Sequence, residues 1–234
     1  MINSYELNRD EARDRIMAAI GSHVVFDGWN LKSLKAAARE AGLETSAVVR
    51  VFPKGVGEAI THYFDWGDRY MLTAMGKRDL GAMKTRERVG AAMQVRLDMF
   101  GSREVMRRTL ATLALPMNTQ IGLQATYHTV DAIWHASGDT ATDLSFYTKR
   151  ALLACVYTAT LLYWLEDTSE NSEDTRGFLE RCLANMLQLA AVRLSLAQLR
   201  QSNPARFLWR PPLQMTSRSG RSVTRTQYPQ TLCV

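Results

Sequence analysis

Acidic residues stop at Glu180: no Asp or Glu follows it, while eight arginines run from Arg181 to Arg225. The residues before that point hold 21 of the 29 basic residues and all 23 acidic ones, so the net charge of +6 belongs to the C-terminal end of a near-neutral body. Cysteine is scarce as well. Cys155, Cys182 and Cys233 are scattered, with no C-x-x-C pair, and the first two fall in apolar helical patterns, which predicts reduced core thiols. Long apolar runs are missing too. The best stretch, ALLACVYTATLLYWL at 151–165, is 15 residues, short of the roughly 20 that a spanning helix needs. That excludes crossing a bilayer there but not lying on one. The first residues, MINSYELNRDEARDRI, carry Glu6, Asp10, Glu11 and Asp14 and no apolar signal core. The chain is therefore expected to act in the cytoplasm, peripheral to the inner membrane, without a transit peptide.

What is present is helical periodicity. With 46% hydrophobic residues and six prolines, the chain predicts an all-α globular protein. A first helix carries Ala12, Ile16, Met17 and Ile20 and ends near Gly21. A second runs from Leu31 to Ala41 with Gly42 as its stop, and a short third covers Ala47 to Phe52 before Pro53. Further helices are expected over 55–73, with Ile60, Tyr63, Phe64 and Tyr70 on one side, and over 85–100 and 103–115. Pro116 suits the first turn of another reaching Ala136. After SGDTATD, one begins at Asp143 and extends to Leu165. After EDTSENSED, a long one extends to about Arg200. Residues 211–234, rich in Ser, Thr, Arg and Pro, predict disorder.

The segment SLKAAAREAGLETSAVVRVFPKG has the helix, glycine turn and second helix of a helix-turn-helix, with Ala37 at the packing position and Gly42 in the turn. Together with the long helical body behind it, this resembles TetR-type repressors. One functional reading is therefore a DNA-binding regulator with a hydrophobic ligand pocket. Charge weighs against it. The second helix offers Arg50 and otherwise Ala47, Val48, Val49 and Val51, whereas base readout calls for Arg, Lys, Asn or Gln there. No nucleic-acid partner is expected.

Catalytic motifs do not emerge. There is no phosphate-binding glycine loop, nucleophile elbow or zinc motif. Glu58 and His62 are four apart, not the three of a di-iron Glu-x-x-His, and are not repeated. His128, Asp131 and His135 share a helix face, but the two histidines are roughly 10.5 Å apart along the axis. Metal bonds near 2 Å cannot close across that from one helix. These histidines are expected in or near the core with Asp131 as a partner. No catalytic residue, metal or cofactor is expected.

Aromatic residues concentrate at 127–164. Spaced as they are, they are either core or the lining of an apolar ligand cavity, for which Trp134, Phe146, Tyr157 and Trp164 are the candidates. In TDLSFYTKRA, Phe146 and Tyr147 stand beside Asp143, Lys149 and Arg150, either an exposed partner surface or an ordinary amphipathic first turn.

The run TVDAIWHASGDTATDLSFYTKRALLACVYTATLLYWLEDTSENSEDTRGFLERCLANM resembles the Coq-nine family of accessory proteins in ubiquinone biosynthesis. VFPKG, MKTRERVGAAMQVRL, TLALPMN and the closing ARFLWR extend the likeness over about residues 10–210. The resemblance implies a TetR-like helical fold, a homodimer formed through the last long helices and no catalytic activity. It also implies binding of isoprenoid quinone lipids and their presentation to a di-iron hydroxylase. In that reading Asp143, Phe146, Tyr147 and Arg150 contact the hydroxylase, and the family's Asn-Trp-Tyr is Ser145-Phe146-Tyr147 here. ARFLWRPP then suits a membrane surface, with Arg206 and Arg210 on anionic headgroups and Phe207, Leu208 and Trp209 in the acyl boundary. The expected organisation is a helix-turn-helix region at 1–75, a lipid-binding and dimerisation domain at 76–201, and an amphipathic segment with a basic tail at 202–234.

Overall fold

In α1 (Arg9–Asp27) the apolar residues Ala12, Ile16, Met17, Ile20 and Val24 recur at helical spacing and are all buried. Removing each large one from water stabilises by about 1.5–3 kcal/mol. The structure is a computed structural model, and it describes residues 8–138 and 144–186, with the side chains at 144–146 left out of the account. Contrary to expectation, α1 does not end at Gly21, whose open side faces Val105 in a neighbouring helix. It stops at Gly28, where φ is +72° and a side chain would be strained.

The helix-turn-helix follows as predicted. In α2 (Leu31–Glu40), the Asn30 side-chain Oδ1 caps the first turn by accepting from Ser33 N–H at 2.9 Å. Ala37 is fully buried, and Gly42, with φ +75°, turns the chain toward α3 (Ala47–Val51). Leu31 is exposed rather than part of the apolar face, because it sits at the helix start, ahead of the packed turn. Ser46 precedes α3 without capping it, since its hydroxyl is bonded to Glu44.

α4 (Val56–Gly76) packs on α1, α5 (Thr85–Met99) and α7 (Thr119–Ala136). Tyr70 is exposed, on the opposite side from Ile60, Tyr63 and Phe64. Between α5 and α7 comes α6 (Arg103–Leu113). Pro116 opens a separate 3-10 turn, Pro116–Asn118, ahead of α7 instead of belonging to it. α8 (Leu144–Glu166) lies against α7. A second 3-10 turn, Glu170–Ser172, leads to α9, described over 173–186. The described residues contain no strand, and one apolar core joins the helix-turn-helix to the helices behind it. No described helix is long and apolar enough to cross a membrane.

Glu58 and Asp14 fasten the front of the molecule. Arg13 donates from Nε to the Val51 carbonyl at 2.8 Å and forms an ion pair with Glu58, while Glu58 accepts Lys54 N–H at 2.9 Å. Asp14 bridges His62 at 2.7 Å and Arg69 at 2.5 Å. The last carbonyl of α3 is thus satisfied by a side chain of α1, which fixes the short helix against the longer ones.

Candidate functional site

Four helices meet around one buried guanidinium. Arg96 of α5 has no exposed surface and donates from Nε to Asp68 of α4 at 2.7 Å and from Nη2 to the Phe64 carbonyl at 3.2 Å. Its plane lies 4.4 Å from the centre of the Phe100 ring. Thr129 of α7 donates to both Asp68 oxygens, at 2.9 and 3.1 Å. Burial pushes the Asp68 carboxyl up, and the charge of Arg96 opposes that only in part. Tyr63 is pushed up to about 12, again by burial first.

α7 and α8 run antiparallel. Arg150 donates to Asp131 at 2.7 Å, Lys149 lies over the Trp134 ring at 5.6 Å, and Tyr157 stands beside Thr129. The aromatic residues predicted as possible cavity lining are core here: Trp134, Tyr157 and Trp164 are all buried, and Trp164 packs on Phe100 with centroids 6.2 Å apart. Two of them keep an unusual feature. The Trp134 indole N–H and the Tyr157 hydroxyl are buried without a well-formed hydrogen bond to any described residue. Burial also pushes the Tyr157 phenol up.

An apolar cleft of about 320 Å³ opens elsewhere, walled by Met17 and Val25 of α1, Tyr63 and Trp66 of α4, and Met99 and Phe100 at the end of α5. The sequence reading overlooked it because its walls come from three separated segments. The available signal was Tyr63 and Trp66, one turn apart.

Of the predicted partner residues, Tyr147 is 70% exposed near the start of α8, whereas Arg150 is buried with its guanidinium on Asp131. Asp143 and the side chain of Phe146 lie outside the described residues, as do Arg206, Phe207, Leu208, Trp209 and Arg210. His128 and His135 are corrected: both are exposed, and Asp131 serves Arg150 instead of a histidine. Cys155 is also corrected. It lies on the exposed side of α8, and Cys182 is only partly buried, because the core of α8 is filled by Leu153, Tyr157, Leu161 and Trp164.

A helix-turn-helix in front of a helical body of this order defines the TetR-like all-α class. The crystal structure of a TetR transcriptional regulator from Nitrosomonas europaea has this fold, with a TM-score of 0.60 at 23% identity, covering 75% of this chain and 98% of that one. Within that class, residues 119–190, which hold α7, α8 and the described part of α9, match the COQ9 family model. The human mitochondrial ubiquinone biosynthesis protein COQ9 is 31% identical over 74% of this chain and 57% of its own length, and the rat protein is 29% identical over 78% and 61%. The chain thus spans less than two thirds of the length of these relatives.

Proposed function

We propose that this protein is a non-enzymatic accessory of ubiquinone biosynthesis that carries isoprenoid quinone intermediates at a membrane surface and presents them to a di-iron hydroxylase. The observation that carries this reading is the family match across α7 and α8, the two helices that hold Trp134, Tyr147, Arg150 and Tyr157. The physical need is plain. Each prenyl CH₂ exposed to water costs about 0.8 kcal/mol, so a long tail leaves a bilayer only into another apolar shelter. The cleft walled by Tyr63, Trp66 and Phe100 offers such surface. The buried Trp134 N–H and Tyr157 hydroxyl are polar groups able to meet oxygens of a ring when the α7–α8 pair loosens.

In this reading Tyr147 and Arg150, with Asp143 and Phe146, face the hydroxylase, and Arg206 to Arg210 rest on the bilayer. Two copies join through α8 and α9, where Ala151, Cys155, Ala159 and Leu162 are exposed. The exposed residues of the short α3 are Val49 and Arg50, too little for reading DNA. The deciding experiment is solvent extraction of the purified protein followed by mass spectrometry, with a gel shift on its own upstream DNA alongside. An isoprenoid quinone in the extract is expected. A DNA complex at moderate salt with no co-purified isoprenoid would favour the repressor reading and end this one. Tyr147→Ala should lose hydroxylase pull-down while keeping the lipid.

A further inference from the structure

The loop joining α4 to α5 and the first turn of α5 read KRDLGAMKTRER, with Lys77, Arg78, Lys84, Arg86 and Arg88 against Asp79 and Glu87. Both acids are engaged on backbone amides. Asp79 Oδ1 accepts Gly81 N–H at 3.1 Å, and Glu87 Oε2 accepts Lys84 N–H at 2.9 Å. They shape the loop and do not neutralise it, and none of the five cations forms an ion pair with a described residue. Several arginines elsewhere on this body do pair with acids: Arg13 with Glu58, Arg69 with Asp14, Arg96 with Asp68, Arg107 with Glu166, Arg108 with Glu104. All five cations of the loop and first turn fall at one place on the chain, residues 77–88.

That stretch borders a groove of about 600 Å³ between the loop, α5 and α9. Arg78, Lys84 and Arg86 stand on one side, with Leu179, Glu180 and Leu183 on the other. Arg86 is already oriented, donating to the Glu180 carbonyl at 3.1 Å. Arg88 does not line the groove but steadies the loop, donating to the carbonyls of Met83 at 3.0 Å and Ser137 at 3.3 Å. The floor is kept low and apolar. A side chain at Gly90 would stand 3.4 Å from Leu183, which is itself buried with Leu179.

We propose that this groove binds a phosphate or diphosphate group, carried either by a soluble compound or by a lipid. The charge-assisted donors of Arg and Lys match such oxygens in number and direction. A size of this order is ordinary for a ligand site. The acid-free C-terminal region does not complement it, since its arginines repeat the groove's own charge. This site does not depend on the quinone reading, because it is walled by α5 and α9 and not by the α7–α8 pair.

The test uses the full chain. Inorganic pyrophosphate is titrated calorimetrically into the wild type, into Arg78→Ala/Lys84→Ala, and into a tail pair, Arg218→Ala/Arg221→Ala, that removes equal charge. Flotation with phosphatidylcholine vesicles, with and without phosphatidic acid, is run on the same three proteins. Both groove side chains are exposed and unpaired, so thermal melts should coincide. A soluble ligand is indicated if pyrophosphate binding weakens by about tenfold in the groove pair alone, the loss expected for charged hydrogen bonds under partial screening. A lipid headgroup is indicated if only phosphatidic-acid-dependent flotation responds to the groove pair. Equal losses in both pairs, no loss in the groove pair, or no binding by the wild type would each overturn the site.

Discussion

Replacing Arg96 with methionine should be among the costliest single changes available to this fold. The methionine fills much of the same space, but it leaves Asp68 buried with only the Thr129 hydroxyl as a side-chain partner, and it removes the second donor to the Phe64 carbonyl. Removing one member of a buried pair costs about 3–5 kcal/mol, a large share of the roughly 5–15 kcal/mol that stabilises a domain. At about 2–4 °C per kcal/mol for a chain of this size, Tm falls by about 6–20 °C. The cost must also depend on pH. Burial already holds the folded carboxyl of Asp68 above its ordinary value, so its ionised form opposes folding, and stability is lost as pH rises through the folded pKa. Without Arg96 that pKa climbs further, and the variant's deficit should be largest at neutral pH and shrink in mild acid, where Asp68 takes up a proton. Urea unfolding followed by circular dichroism at both pH values measures this. The double change Asp68→Asn/Arg96→Met should recover most of the loss. A single-variant deficit under about 1 kcal/mol, or one that grows in acid, would refute the reasoning.

Gly67→Ala should destabilise by about 1–3 kcal/mol, because its new methyl would stand 2.6 Å from Arg96 Nη1 and 2.8 Å from the Met99 sulfur, both held in the core. Gly76→Ala, with nothing within 4 Å, should instead be neutral or gain up to about 1 kcal/mol of helix propensity; thermal melts distinguish the two. Asp167→Ala removes the acceptor of Ser169 N–H at 2.7 Å and Thr175 N–H at 2.9 Å and should cost about 1–2 kcal/mol at the start of α9. Burial tends to raise the Asp167 carboxyl, but those hydrogen bonds outweigh it and hold the pKa down, so this contribution is present at neutral pH and lost as pH falls through the folded value. The variant's deficit should therefore fade in strong acid, as urea titrations would report. Alkylation of Cys155, exposed on a single chain, should be slow in concentrated solution and faster on dilution if two copies cover α8; a rate independent of concentration would remove that interface.

Helix positions were legible because each apolar set recurs at helical spacing, and Gly42 and Pro53 behaved as punctuation. Gly21 did not. A glycine inside a helix ends it only when the chain must take a positive φ, and here the neighbouring Val105 accounts for its small size instead. The charge network was invisible for a related reason. Arg96 and Thr129 lie 28 and 61 residues from Asp68, and the three meet only after α4, α5 and α7 assemble. Periodicity also could not separate core from cavity for Trp134, Tyr157 and Trp164, since both demand the same apolar face. Only the packing of α4, α5, α7 and α8 around them distinguishes the two. The pattern left Tyr147 open between an exposed surface and an ordinary amphipathic first turn, and only the packed helix shows it exposed.

The helix-turn-helix raises a question of retention, because a recognition helix that exposes little beyond Val49 and Arg50 gains little from being shaped for a groove. Its packing supplies a reason. α1 buries its apolar side against α2 and α6 together, and the Trp29 indole N–H, next to the turn into α2, donates to Thr109 of α6 at 2.8 Å. Arg9 and Arg13 reach from α1 to the end of α3, and Glu58 returns the contact from α4. The head therefore shares its core with the body, and losing α2 and α3 would uncover Ile16, Ile20 and Val24, three residues whose burial is complete. At about 1.5–3 kcal/mol for each, that exposure is comparable with the whole stability of a domain. The motif can lose its reading surface and still be required, because the residues that hold it in place are core residues of everything behind it.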